Sequence, residues 1–285
     1  MFNLNKEIAV INGKDSRDFG IYLIDGNIFD YPKREIEYLT VPGRSGSLTI
    51  DKGRWENIDI TYTFAAYDNA VSRLNAWKEY LLAALGYTRI ETSVEPEIYR
   101  KGILKSATSP QLSMMGGGGT IEVTYNCMPQ KWLKENDGVD EEITLTNNMY
   151  INNPTNFDAK PLLYLKAGQV GATVSFLNNL YDKTDDDYYL IAESILKVNT
   201  TDRIWIDCET CDAFYDDTNY NAYVELVDDP YNPSAVQDFP VISGQSKHMQ
   251  HPNFLRRQIY DASVTTRILI GDFTYAQMYP RWWKL

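Results

Sequence analysis

Residues Ile58, Asp59, Ile60, Thr61, Tyr62, Thr63 and Phe64 alternate apolar and polar without a break, and Ile121, Glu122, Val123, Thr124, Tyr125, Asn126 and Cys127 repeat the pattern. Period-two alternation puts every apolar side chain on one side of an extended chain, so each stretch reads as a strand with one wet face. Shorter stretches of the same kind lie at Glu35 to Leu39, Leu48 to Ile50, Pro161 to Lys166, Thr173 to Leu177, Arg203 to Asp207, Tyr223 to Val227 and Ser263 to Ile270. Gly, Pro, Asn and Asp clusters separate them, which is the spacing of antiparallel sandwiches. The expectation is a mainly β, two-domain protein.

One segment departs from period two. Asp68 stands where a helix cap belongs, and Val71, Leu74, Trp77 or Ala76, Leu81 and Leu85 recur at helical spacing before Gly86. This predicts a helix over residues 68–85. Thr88 to Glu91 and Ile98 to Lys101 flank Ser93 to Pro96 and predict a hairpin beside it.

The chain has 285 residues, and length over about 150 suggests two domains. The charged run Lys134 to Glu142 contains Gly138 and lacks an apolar pattern, so the boundary is placed there, giving domains 1–138 and 139–271. Residues 1–140 carry 16 basic and 19 acidic side chains, against 11 and 20 in residues 141–285, so the acidity lies in the second half. A net charge of −12 repels phosphate backbones and anionic lipid. No apolar run approaches the roughly 20 residues of a membrane span, and Met1 to Val10 has no signal-peptide core. Three cysteines, Cys127, Cys208 and Cys211, do not make a disulfide framework, which suits a reducing folding compartment. The 21 Tyr, 10 Phe and 6 Trp are abundant and supply rigid area for strand faces and contacts.

Catalytic chemistry is hard to assemble. The two histidines, His248 and His251, lie beside no nucleophile elbow, and acidic residues such as Glu209 and Asp212 are too plentiful for any chosen pair to carry meaning. Cys208-x-x-Cys211 with His248-x-x-His251 offers four zinc ligand types, but two thiols three apart on a strand point to opposite faces, so small buried side chains are the preferred reading. Asp182, Thr184, Asp186 and Glu193 imitate a calcium loop, yet Asp187 stands where glycine must make the turn, and Tyr188 to Ile191 read as a strand. Gly116, Gly117, Gly118 and Gly119 precede a strand, with no Gly-Lys-Ser/Thr to cradle phosphate; the run is expected to order against another chain. No enzyme, cofactor or metal is expected.

Three stretches together resemble the distal tail protein (Dit) family of long-tailed bacteriophages: Val41-Pro42-Gly43-Arg44-Ser45-Gly46-Ser47-Leu48, the Trp77 helix with its hairpin up to Tyr99-Arg100-Lys101-Gly102, and the terminal Tyr279-Pro280-Arg281-Trp282-Trp283-Lys284-Leu285. Gly168 to Asn178, Arg203 to Glu209 and Phe239 to Gly244 are similar to the galectin-like domain at the carboxyl side of that family. The resemblance implies a structural virion protein, folded in the bacterial cytoplasm and residing at the distal end of the tail. It implies a homohexameric ring between the tail tube protein and the tail-tip or baseplate proteins, lysin or receptor-binding, with DNA passing through unbound and no membrane contact. The 1–138 domain would form the ring, the galectin-like 139–271 sandwich would project, and 272–285 would return to the first domain. Six acidic copies should present no lumen lined by Lys or Arg. Arg44, Gly116 to Gly119, Trp282 and Trp283 are the expected interface residues, with Trp77 more readily core. The alternative is a carbohydrate-binding module attaching the virion to host wall glycans, with Trp205, Tyr215 and Tyr220 stacking on sugar.

Overall fold

A computed structural model describes residues 7–113, 117–134, 142–182, 187–227, 239–245 and 262–285. The chain divides into two compact units, Met1–Trp132 with Leu285, and Leu133–Lys284. The protein is mainly β, with antiparallel sheets and one α-helix among the described residues.

The first unit is built on the two alternating stretches that open the reading. Ile58–Ala66 and Gly119–Cys127 pair antiparallel, with Ile121 opposite Phe64, Val123 opposite Tyr62 and Tyr125 opposite Ile60, so one face is continuous core. The sheet continues through Ile98–Ala107, Thr88–Thr92 and Ala9–Ile11 on one side and Tyr22–Gly26 on the other. Gly102 is dictated by packing: a Cβ there would sit 2.8 Å from Cys127 Sγ. The expected hairpin is present, with Ile90 opposite Arg100.

Helix α1 spans Ala70–Ala83, and buries Ala70, Leu74, Trp77 and Leu81. Trp77 packs 5.5 Å from Phe64, 5.1 Å from Phe19 and 5.7 Å from Tyr80, as a core residue. Three sequence expectations fail here. Asp68 does not cap; Asn69 takes the cap position in a left-handed conformation, while Asp68 binds Arg73 at 2.8 Å. Val71 is exposed because it sits about 100° around the helix from Ala70, which takes the stripe. Leu85 is 94% exposed because the helix has already ended at Ala83.

The second unit is a sandwich. One sheet runs Ile143–Thr144, Phe273–Tyr279, Leu162–Ala167, Arg203–Asp207, Asp212–Tyr215, Thr218–Asn219; the other runs Met149–Ile151, Ala262–Gly271, Ala172–Asp182, Asp187–Val198, Val224–Leu226. Leu163, Leu165, Ile204, Ile206 and Met278 from the first meet Val174, Phe176, Leu196, Val198 and Ile268 from the second in one core. Buried Asn178 fixes the returning segment 239–245: its amide donates to Val241 O at 2.8 Å, and its carbonyl accepts from Ser243 N at 2.9 Å and from the Thr266 hydroxyl at 2.5 Å.

The stretch 272–285, expected to return to the first domain, divides: Leu285 belongs to the first unit, whereas Phe273–Tyr279 belongs to the second. Phe273–Tyr279 lies between Leu162–Ala167 and Ile143–Thr144, because Ala276 and Met278 alternate into the second core. Beyond it, Arg281 forms a double hydrogen bond to Asp207 at 2.8 and 3.0 Å, and Trp282 enters the same core. Burial raises the Asp207 pKa, but the Arg281 guanidinium and the backbone N–H groups of Glu209 and Thr210 outweigh it and hold the carboxyl below its ordinary value.

Candidate assembly surfaces

Arg34–Leu39 and Leu48–Trp55 pair only with each other and form a hairpin arm, a two-stranded sheet of its own. Their turn is made by Val41 O accepting from Arg44 N at 3.1 Å, with Gly43 and Gly46 at φ 79° and 82°, where L side chains are strained. Every residue from Leu39 to Arg54 is exposed. The base of the arm is ionic and internally neutralised: Arg34 binds Asp51 at 2.7 Å, Lys52 binds Glu37 at 2.5 Å, and Arg54 binds Glu35. The Gly53 backbone N–H and Arg34 lower the Asp51 pKa. Such exposed pairs contribute little stability. Toward the tip the arm is apolar, with Leu39 opposite Leu48 and Tyr38 65% exposed. An isolated hairpin is marginal in water, so a surface outside its own chain has most to offer it. Arg44 sits on the exposed turn and makes no ion pair.

The other expected contact residues divide. Gly116 lies outside the described residues. Gly117 and Gly118 line a groove with Asn69, Ala70, Val71 and Leu112. Gly119 is not a contact residue: it is buried in the sheet opposite Ala66 and Leu112, and a Cβ would stand 2.9 Å from Gln111 O. Trp282 is likewise corrected, since 4% exposure leaves no surface for a partner. Trp283 is half-buried, stacked on Phe157 at 4.5 Å, and its indole N–H donates to Asp158 O at 2.8 Å.

The wet face of the first unit's sheet carries Asp59, Thr61, Thr63, Glu122, Thr124 and Asn126. Thr61 and Thr124 hydroxyls meet at 2.9 Å, and Asp59 accepts from Asn126 at 2.9 Å and from Lys105 at 2.5 Å. The second unit presents an aromatic band that single-strand reading missed. Tyr164 stacks on Trp205 at 4.1 Å, Tyr275 meets Tyr164 edge-on at 5.5 Å, Tyr279 lies 5.8 Å from Trp205, and Arg203 sits 5.2 Å over Tyr275. Each strand supplies one or two rings at alternate positions, so only the strand order reveals the band. One face of Trp205 is therefore already taken by protein. Tyr215 is exposed, and Tyr220 packs 5.5 Å from Tyr223 with its hydroxyl on Asp202 at 3.3 Å. Burial, and then the Glu142 carboxylate that accepts its hydroxyl at 2.8 Å, push Tyr279 up to about 12.

Both metal sets that were weighed and set aside lie partly outside the described residues. Cys208 is buried and Cys211 exposed, whereas His248 and His251 lie outside the described residues, as do Thr184 and Asp186. Asp182 and Glu193 lie in paired strands rather than in a loop entering a helix. Among the described residues no three His, Cys, Asp or Glu side chains converge to hold an ion, and no helix is long and apolar enough to cross a membrane.

The class that fold and surfaces define is a two-unit antiparallel β protein whose notable features are faces and an arm rather than a reactive pocket. The chain has the fold of a distal tail protein. The crystal structure of the Dit protein of phage SPP1, a paradigm of the hub adsorption apparatus in phages infecting Gram-positive hosts, aligns over 95% of this chain and 96% of its own at 14% identity, with a TM-score of 0.58. Two structures of the phage P2 baseplate in its activated conformation, with calcium and with strontium, align over the same shares at 9% and 10% identity and a TM-score of 0.49. No family model and no curated protein matches the sequence. At these identities the likeness is one of fold.

Proposed function

We propose that this chain is a structural hub protein of a phage tail, located in the virion at the distal end of the tube. Six copies close into a ring through the first unit, which corresponds to the ring-forming domain, and the ring joins the tail tube protein to tail-tip or baseplate proteins. The second unit is a galectin-like sandwich that serves as the attachment module for those proteins. DNA passes through the ring without specific binding, and the chain performs no bond-making chemistry. The observation that carries the reading is the arm: a hairpin with an apolar tip and a self-neutralised base, outside the core of its own chain. A wall of Thr, Asn, Asp and Glu side chains, with Lys105 held by Asp59, suits a conduit past which phosphates slide. Mass measurement across protein concentration, with negative-stain imaging, tests it. Six-fold rings are expected; monomers at every concentration, also after amine cross-linking, overturn the ring.

A further inference from the structure

Cys208-x-x-Cys211 lies in the loop that joins Arg203–Asp207 to Asp212–Tyr215. Asp207 and Asp212 are the last facing pair, so four residues make the whole connection and the two cysteines are its first and last. The loop folds as one helical turn. The Asp207 carboxylate caps it, accepting from Glu209 N at 2.9 Å and from Thr210 N at 3.4 Å, and Cys211 ends it at φ 61°, the left-handed conformation that closes helical turns. Residues three apart on such a turn are neighbours, with Cβ atoms about 5–6 Å apart against roughly 4 Å in a disulfide, so a shift of about 1–2 Å joins them.

The two thiols differ in access. Cys211 is exposed, whereas Cys208 is 1% exposed and packs in the core of the second unit. The third cysteine, Cys127, is sealed in the core of the first unit. Cations stand around the turn: Arg281 holds Asp207 at 2.8 Å and lies 3.8 Å from Glu209, and both Arg281 and Lys160 act on the Cys208 thiol. They oppose burial and the Asp207 carboxylate, which keep that thiol protonated and shielded from reagents in solution, though not from its neighbour in the loop. We propose that Cys208 and Cys211 are a redox pair, which a small-molecule disulfide converts to an intrachain disulfide. The exposed Cys211 thiolate attacks one sulfur of the oxidant and expels its other half as a thiolate. Cys208 then gives its proton to water and attacks the Cys211 sulfur, expelling the second half. Two cysteine thiols are oxidised to one disulfide, and the oxidant is reduced to two thiols. A dithiol in a reducing compartment thus becomes a cross-link in an oxidising one, whether or not the chain closes into a ring.

Intact mass tests the pair on the folded full chain incubated with glutathione disulfide. A transient glutathione adduct is expected, followed by a product lighter than the starting chain by two hydrogens. In that product a digest should join 208 to 211, native alkylation of Cys211 should fall by about tenfold or more, and dithiothreitol should reverse both changes. Cys208→Ala, which keeps a small apolar side chain in the core, should halt at the adduct, and Cys211→Ser should give neither species. Melting of each variant checks that it folds, and the wild-type mass series decides the matter even where Cys208→Ala melts early. An adduct that persists on the wild-type chain, or chains joined in pairs through Cys211, overturns the redox pair.

Discussion

The arm supplies its own test, because Tyr38 lies opposite Thr49 and an Asn-Gly turn can join them in place of residues 39–48. The three ion pairs at its base, Arg34 with Asp51, Lys52 with Glu37 and Arg54 with Glu35, are kept. Every residue removed is exposed, so the lost burial is small, and shortening the connection lowers its closure entropy by about 0.6 kcal/mol per halving. The net change in folding stability should stay within about 1 kcal/mol, a melting shift of a few degrees. Leu74→Ala is the control: Leu74 is fully buried beneath α1, and its truncation should cost about 3 kcal/mol and lower the melting temperature by about 10 °C. Calorimetry and solution mass on both variants separate the two roles. The arm-trimmed chain should melt like wild type and fail to assemble, whereas Leu74→Ala should melt early. If trimming destabilises the chain as much as Leu74→Ala, the arm belongs to the fold; if trimmed chains still form rings, the arm is not what closes them.

Three further outcomes follow from the packing. Exposed Cys211 should alkylate in the native protein, while Cys127, whose thiol burial pushes up to about 12, and buried Cys208 should react only on unfolding; equal native rates would contradict their placement. Gly244→Ala places a Cβ 2.4 Å from the Asn156 backbone and should destabilise the second unit by about 2 kcal/mol; an unchanged melt would refute that close approach. Asp207 has a depressed folded pKa, so its stabilisation is present above the unfolded value of about 3.9 and is lost as pH falls through the folded one. Asp207→Asn should therefore lose about 2 kcal/mol at neutral pH and flatten the acid limb of stability, and an acid limb parallel to wild type would refute the clamp.

What the sequence made legible is what a single strand or helix carries in itself. Ile58 to Phe64 and Ile121 to Cys127 could be read because alternation records burial residue by residue, and the two stretches lie side by side. The strands of the arm were equally readable from Glu35 to Leu39 and Leu48 to Ile50. Their isolation was not, because Arg34, Lys52 and Arg54 look like an ordinary wet face until the partners across the hairpin are known. Adjacent Trp282 and Trp283 illustrate the same limit. Period two says only that they diverge, and it takes the contact with Phe157 and the core to say which goes in. The aromatic band was invisible because Tyr164, Trp205 and Tyr275 come from three strands brought together by sheet order.

Charge ties ring closure to the proposed conduit. In the proposed ring six copies of a chain of net charge −12 would sum to −72, so repulsion between copies would oppose closure and be relieved by salt. The arm cannot offset this with ions, since three of its four cations already hold arm carboxylates; the apolar tip must do so. Closure should accordingly strengthen as ionic strength rises, the reverse of an interface stitched by salt bridges between copies. The same acidity that makes assembly depend on apolar area leaves the wet sheet face, with Thr61, Thr63, Thr124 and Asn126 beside Asp59 and Glu122 and with Lys105 paired to Asp59, with little grip on a phosphate backbone. A basic chain would close its ring more easily around DNA and then hold it.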